Sequence, residues 1–210
     1  MNSKMYIAII GDIVGSRNLE NRDKVQLQLE KTLNFINTTF SEFIESNFTI
    51  TIGDEFQGLV NRNFPLQKYF QFFKQIFNTE FNIRFGFGLG SLSTALRNEA
   101  LGMDGPSFHN ARAALEIARE KSKLLVFHGF EMNTALNSLM NFTSNVENNW
   151  TRRQREVILL IQEKNDQTKV AELLNVSKQS ISKTILAAHY DLFLGGWKGI
   201  QELFSFSKSK

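Results

Sequence analysis

"ITIGDEFQGLV", residues 50–60, sets two carboxylates at the tip of an apolar hairpin. Phe48, Ile50 and Ile52 alternate with Thr49 and Thr51, the period-two pattern of a half-buried strand. Gly53-Asp54 suits a two-residue type II′ turn, because glycine accepts the positive φ that its first central position requires. Phe56 to Val60 returns as the partner strand. Carboxylates at such a tip raise a question of charge: if one of them holds a ligand, a partner must come from elsewhere in the chain.

Working outward, Met5 to Ile10 is a short apolar run ending in Gly11-Asp12, a buried strand meeting a loop. From about Asn21 to Ser46, Leu29, Leu33, Ile36, Phe40 and Ile44 recur at helical spacing. Beyond the hairpin, Pro65 suits the first turn of a helix whose apolar face is Tyr69, Phe73, Ile76 and Phe77. Phe81 to Leu92 reads as a strand, with Gly86, Gly88 and Gly90 leaving one side bare. Pro106 opens an Ala-rich helix to about Glu120, and Leu124 to Phe127 is a last strand. The fold class is therefore α+β, with the first six elements in ferredoxin-like βαββαβ order. In that topology the first and third elements are expected as neighbouring strands at the sheet centre, so the C-terminal end of strand one lies beside the hairpin tip. Asp12 stands at the first place and Asp54 at the second.

Two carboxylates brought together repel unless a cation or proton lies between them. Magnesium favours one or two carboxylates plus phosphate oxygens and water. In the loop after Asp12, Gly15 and Ser16 let backbone N–H groups turn towards a phosphate, and Arg17 adds charge. The spacing thus suggests a metal–nucleotide site; the plain alternative is a turn-capping Asp12 and a solvated Asp54. Gly86-x-Gly88-x-Gly90 is no dinucleotide fingerprint, since it lies inside a strand and lacks the third spacing. Its glycines fit close approach of a loop or partner helix.

Composition bounds the rest. The chain has 210 residues, 42% of them apolar, so a sizeable core is expected, and 20 are phenylalanine. A Phe-rich core and an oligomer face are both open readings of that number. Cysteine is absent, which excludes disulfides and cysteine-type zinc sites. No apolar run approaches the roughly 20 residues of a spanning helix, and an acidic residue comes too early for a signal peptide, so a soluble, cytoplasmic protein is expected. Residues 1–149 carry 14 Lys+Arg against 15 Asp+Glu, whereas residues 150–210 carry 10 against 6. This asymmetry, with the Asn-rich stretch TSNVENNW, sets the expected domains at 1–147 and 148–210.

In the basic region Thr151-Arg-Arg-Gln154 is a capping box and Val157, Leu160 and Ile161 an apolar stripe. Ala171, Asn175 and Ile181 fall at helix-turn-helix spacing: a small residue where helices cross, a residue tolerant of the left-handed region in the turn, and a β-branched core residue. Lys178, Gln179, Ser182 and Lys183 would face outward from the start of the third helix, where a recognition helix reads bases. Arg152, Arg153 and Arg155 are candidates for phosphate contacts. The alternative is a small bundle used for assembly.

"GDIVGSRNL" resembles the first metal-binding segment of class III nucleotidyl cyclases, and "ITIGDEFQGLV" their second; the latter is also similar to the hairpin of diguanylate cyclases. "IRFGFGLGSLST" and "GMDGPSFHNARAAL" resemble the Gly-rich strand and last catalytic helix of the cyclases. The whole chain resembles the SatD family. The resemblance implies a nucleotidyl cyclase-like domain followed by a small all-α helix-turn-helix domain. It implies Mg2+ or Mn2+ at Asp12, Ile13 and Asp54, and a purine nucleotide at Val14, Gly15, Ser16, Arg17, Gly53 and Glu55. Departures are equally informative. Ile50 stands where the cyclases carry a base-selecting polar residue. Counting from Gly105, His109 and Ala113 stand where they carry Asn and Arg, and Arg112 is one place early, about 100° around the helix. Such an arginine is worth about 10³–10⁵ in phosphoryl transfer. His109, Asn110 and Arg112 are the candidate substitutes. The expected function is a ligand-responsive DNA-binding regulator, acting as a homodimer, with a metal–nucleotide sensor. The alternative is a nucleotidyl-transfer enzyme.

Overall fold

The computed structural model describes residues 4–16, 22–77 and 82–206. Contacts divide the chain into two units, Met1–Asn133 with Phe204–Lys210, and Thr134–Leu203. The first contains β1 (Tyr6–Ile13), α1 (Arg22–Thr39), β2 (Ile44–Ile52), β3 (Glu55–Val60), α2 (Leu66–Phe77), β4 (Ile83–Gly90), α3 (Pro106–Glu120) and β5 (Leu125–His128). It is an α+β unit on one five-stranded sheet of order β2-β3-β1-β4-β5. The β4–β5 pair is parallel and the other three are antiparallel, so the sheet is mixed.

Two expectations need correction. The third element, β2, is not the neighbour of β1; β3 lies between them, and β1 is flanked by β3 and β4. The hairpin tip still meets the end of β1, because β3 begins at the tip and runs antiparallel, pairing Gly11 with Phe56. The first helix ends at Thr39, and Ile44, counted in its stripe, opens β2 opposite Val60. A 3-10 turn over Ser41–Phe43 separates them, and a β-branched residue with a cross-strand partner leaves the helical pattern. Gly53 has φ of 64°, while Asp54 is not among the positive-φ residues, as a type II′ turn requires.

The sheet has two different faces. Away from α3, Phe48, Phe64, Phe73 and Phe85 surround Tyr69 in edge and stacked contacts, and Phe56 stacks on Phe73. Each buried phenyl contributes about 1.5–3 kcal/mol by leaving water. The Tyr69 hydroxyl is buried with no hydrogen-bond partner among the described residues, and burial pushes its pKa well above the ordinary phenol value. Phe87, Phe127, Phe130 and Phe204 extend the cluster, so much of the phenylalanine feeds one core.

On the opposite face α3 lies directly on β4. A Cβ at Gly86 would strike the backbone of Ala111 and Leu115; at Gly88, that of Ser107 and Ala111; at Gly90, that of Ser107. The match follows from geometry: four helical residues rise about 6 Å and two strand residues about 6.6 Å, so Ser107, Ala111 and Leu115 keep step with the glycines. Ala8, Ile10, Leu59 and Phe108 complete this core.

The second unit holds most of α4 (Asn133–Asn148) and of α8 (Tyr190–Ser205), with α5 (Arg152–Lys164), α6 (Gln167–Leu173) and α7 (Lys178–Ala187) between them. The Asn-rich stretch expected to mark a boundary is helical as far as Asn148, the end of α4: Asn145, Asn148 and Asn149 are exposed, while Thr143 and, earlier in the helix, Leu136 are buried. Trp150 donates its indole N–H to Ala188 O and packs on Tyr190 and Phe193.

Gly88→Ala is expected to cost about 3 kcal/mol, since helix and strand backbones must part to admit one methyl. The urea midpoint relative to wild type measures this; an unchanged midpoint would refute the close packing.

Candidate functional site

Strand alternation puts Ala8, Ile10 and Asp12 on the α3 face of β1. In the antiparallel register Asp12 pairs with Arg84 of β4. One step beyond the Gly11–Phe56 pair, the residue across from Asp12 on β3 is Glu55. A row Glu55–Asp12–Arg84 therefore crosses three strands at one end of the sheet. Two carboxylates side by side on one face repel unless positive charge intervenes.

Arginines supply it. From the last turn of α3, Arg119 donates through Nε at 3.1 Å and Nη2 at 3.0 Å to Asp12 Oδ2, and its Nη2 stands 3.7 Å from Glu55 Oε2. Arg84 donates to the same Asp12 oxygen at 3.4 Å. Arg112, two turns before Arg119, forks onto Glu55, with Nη2 at 2.6 Å from Oε1 and Nη1 on Oε2. Thr51 adds a hydroxyl bond to Glu55 Oε1 at 3.3 Å. Burial by itself would raise the Glu55 carboxyl, but the Arg112 bonds and the nearby Arg119 charge outweigh it and hold the group below its ordinary value.

Of the expected metal residues, Ile13 and Asp54 meet directly. Asp54 lies at the tip and its Oδ2 accepts the Ile13 N–H at 3.0 Å, tying the hairpin to the end of β1. Asp12 Oδ1 is buried with no hydrogen-bond partner among the described residues. An anionic oxygen left so is costly, and it is the hard donor that a divalent cation takes. Among the described residues no group of three or more His, Asp or Glu side chains is arranged as a metal cage. Magnesium does not need one, since it completes its shell with water and phosphate. The donor set thus fits a cation held by Asp12 and Asp54.

Of the other candidates, Val14 donates its N–H to Asn82 O at 2.8 Å, Gly15 has φ of 75°, Ser16 is half-buried and Gly53 is exposed. Arg17 lies outside the described residues. The three catalytic candidates part company. His109 pairs with Asp104 at 2.8 Å on the surface. Asn110 bonds Leu89 O and the His128 ring, tying α3 to the sheet. Arg112 alone reaches the hairpin tip. Sequence reading missed Arg84 and Arg119. Arg84 continues the Gly86-Gly88-Gly90 face by one step, and Arg119 continues the Ser107-Ala111-Leu115 face by four residues, so both signals were present in the spacing.

In the second unit Thr151 and Gln154 form a complete capping box, and Asn175 takes φ of 50° between α6 and α7. Val157, Val170, Ala171 and Ile181 form the core. Lys178, Gln179, Ser182 and Lys183 are all exposed. Arg152 is exposed, Arg153 pairs with Glu156, and Arg155 donates to the Glu147 and Asn148 carbonyls at the end of α4.

The family model described as the SatD family matches residues 6–204. The chain belongs to the SatD family. No curated protein matches it. Among solved structures, this SatD-family chain is similar to the catalytic core of a rhodopsin-guanylyl cyclase with converted specificity in complex with ATPalphaS (14% identity, 54% of this chain and 72% of that one, TM-score 0.42). It is also similar to the guanylate cyclase domain of RhGC from Catenaria anguillulae in complex with GTP (16%, 54% and 73%, TM-score 0.39). A third is a bacterial light-regulated adenylyl cyclase (14%, 60% and 77%, TM-score 0.40). No helix is long and apolar enough to cross a membrane among the described residues.

Because Glu55 is held below its ordinary value near 4.5, its ion pair stabilises the fold fully above about that pH and is lost as pH falls through the folded value. Glu55→Gln is therefore expected to flatten the acid limb of the stability curve. Urea midpoints between about pH 3 and pH 7 test this, and an unaltered acid limb would count against the pairing.

Proposed function

We infer that the first unit is a ferredoxin-like, cyclase-like sensor that binds a purine nucleotide with Mg2+, and that the second is a helix-turn-helix that binds DNA as part of a homodimer. The observation that carries the first half is the buried, unpartnered Asp12 Oδ1 beside a hairpin whose Asp54 is bonded to Ile13. Asp12 and Asp54 would hold the cation. When bound, magnesium neutralises and orients phosphate oxygens. With the Val14 N–H engaged by Asn82 O, Gly15 and Ser16 would face the phosphates with their backbone N–H groups.

The second half rests on Asn175 in the left-handed region between two short helices and on the exposed Lys178, Gln179, Ser182 and Lys183 at the start of α7. Gln suits adenine, and Lys suits guanine or phosphate. Nucleotidyl transfer is the second reading. It is favoured by Arg112, which reaches Glu55 although it stands one position before the cyclase arginine. Mass spectrometry after incubation with ATP or GTP and magnesium decides between them: cyclic product puts the enzyme first, and intact nucleotide leaves the sensor.

Asp54→Asn keeps an acceptor for the Ile13 N–H while removing the charge, so the fold is expected to survive. Magnesium-dependent nucleotide affinity is expected to fall about tenfold or more, as for Asp12→Asn. Calorimetry with unchanged affinity in both variants would exclude the two-carboxylate site.

For DNA, Gln179→Ala is expected to relax preference at one base position at a cost of about 1–3 kcal/mol, whereas Lys183→Ala weakens all sequences and lowers the salt slope by about 1. Fluorescence anisotropy on DNA from the protein's own promoter, at two salt concentrations, reads both. No binding even at low salt would leave the helical unit as an assembly module.

A further inference from the structure

The carboxylate row is already neutralised from within. Arg84 and Arg119 meet Asp12, and Arg112 and Arg119 meet Glu55. A cation arriving alone at Asp12 would add positive charge beside guanidinium groups already there. A polyphosphate arriving alone would find those guanidinium groups engaged by carboxylates. Each ligand removes the obstacle to the other.

We propose that Arg119, with Arg112, is a built-in counter-charge that is exchanged for a divalent cation: cation binding frees these arginines to take phosphate oxygens, so cation and polyphosphate bind only weakly apart and tightly together. The inference rests on the metal reading of Asp12 and Asp54 above and names how that site is regulated. Three features select these two arginines. Both sit on α3 seven residues apart, on one side of the helix. The side chains of Arg112 and Arg119 are 43% and 36% exposed respectively, so they can turn towards solvent, whereas the Arg84 side chain is 16% exposed and stays in the strand row. The fork that Arg112 makes on Glu55 is the geometry with which a guanidinium also grips phosphate. The buried Asp12 Oδ1 is met by neither Arg84 nor Arg119, whose bonds to this carboxylate all go to Oδ2, nor by Arg112, which bonds Glu55.

Titration calorimetry of the full chain with Mg2+ alone, inorganic triphosphate alone, and each in the presence of the other tests this. In the wild type each ligand is expected to tighten the other by the same factor, about tenfold or more, because the coupling is reciprocal. Arg119→Gln removes the internal competitor. Mg2+ alone is expected to bind this variant about fivefold tighter than wild type, while the coupling shrinks. Arg119→Lys restores the charge and is expected to return towards wild-type behaviour. Independent affinities in the wild type overturn the exchange. So does an Arg119→Gln variant that binds Mg2+ no tighter, and in both cases the metal reading stands. If neither protein binds Mg2+, with or without triphosphate, the metal reading falls and the exchange with it.

Discussion

Gly86, Gly88 and Gly90 let α3 rest backbone against backbone on β4, and the rest of the first unit follows from that approach. Without side chains between them, helix and strand run in step, four residues against two. The next step beyond Gly86 and Leu115 is Arg84 and Arg119. Both therefore arrive at the same end of the sheet, where β1 finishes and the β2–β3 hairpin turns. A helix standing off by one layer of side chains would not bring the same residues there.

That end of the sheet collects charge because the remainder cannot. One face is phenylalanine and tyrosine; the other, under α3, is Ala8, Ile10 and Leu59. Asp12 is the last α3-facing residue of β1 and is only 8% exposed. Burying a carboxylate is tolerable only with paired charge. Two arginines meet one of its oxygens, and the other is left bare. A fold selected for stability alone has no reason to keep an anionic oxygen without a partner, whereas a ligand site does.

How much of this is readable from residues alone depends on what sets each position. The hairpin, its glycine turn and the approach of Asp54 to the end of β1 follow from local pattern and topology, and the Asp54–Ile13 bond is their outcome. The role of Glu55 does not follow locally. It depends on which strand flanks β1, and β3 rather than β2 in that place sets Glu55 across from Asp12. Arg112 looked misdirected by one helical position, yet a long flexible side chain spans that offset and grips Glu55. The start of β2 at Ile44 depends on its pairing with Val60, a contact invisible to periodicity. The helical form of the Asn-rich stretch as far as Asn148 depends on contacts such as that of the buried Thr143 with Gly196, which periodicity does not show.

The basic excess of the C-terminal region overstates the charge left free on its surface. Arg155 caps the carbonyls at the end of α4, and Arg153 is shared with Glu156. A guanidinium that must leave such partners gains less from a phosphate than one already in water. The weight of any electrostatic attraction therefore shifts to the exposed Lys178 and Lys183 on α7 and to the exposed Arg152 at the start of α5. A few phosphate contacts give a shallow salt dependence. On the DNA-binding proposal, discrimination between sequences would then rest on the polar side chains between the lysines, Gln179 and Ser182, rather than on the net charge of the region.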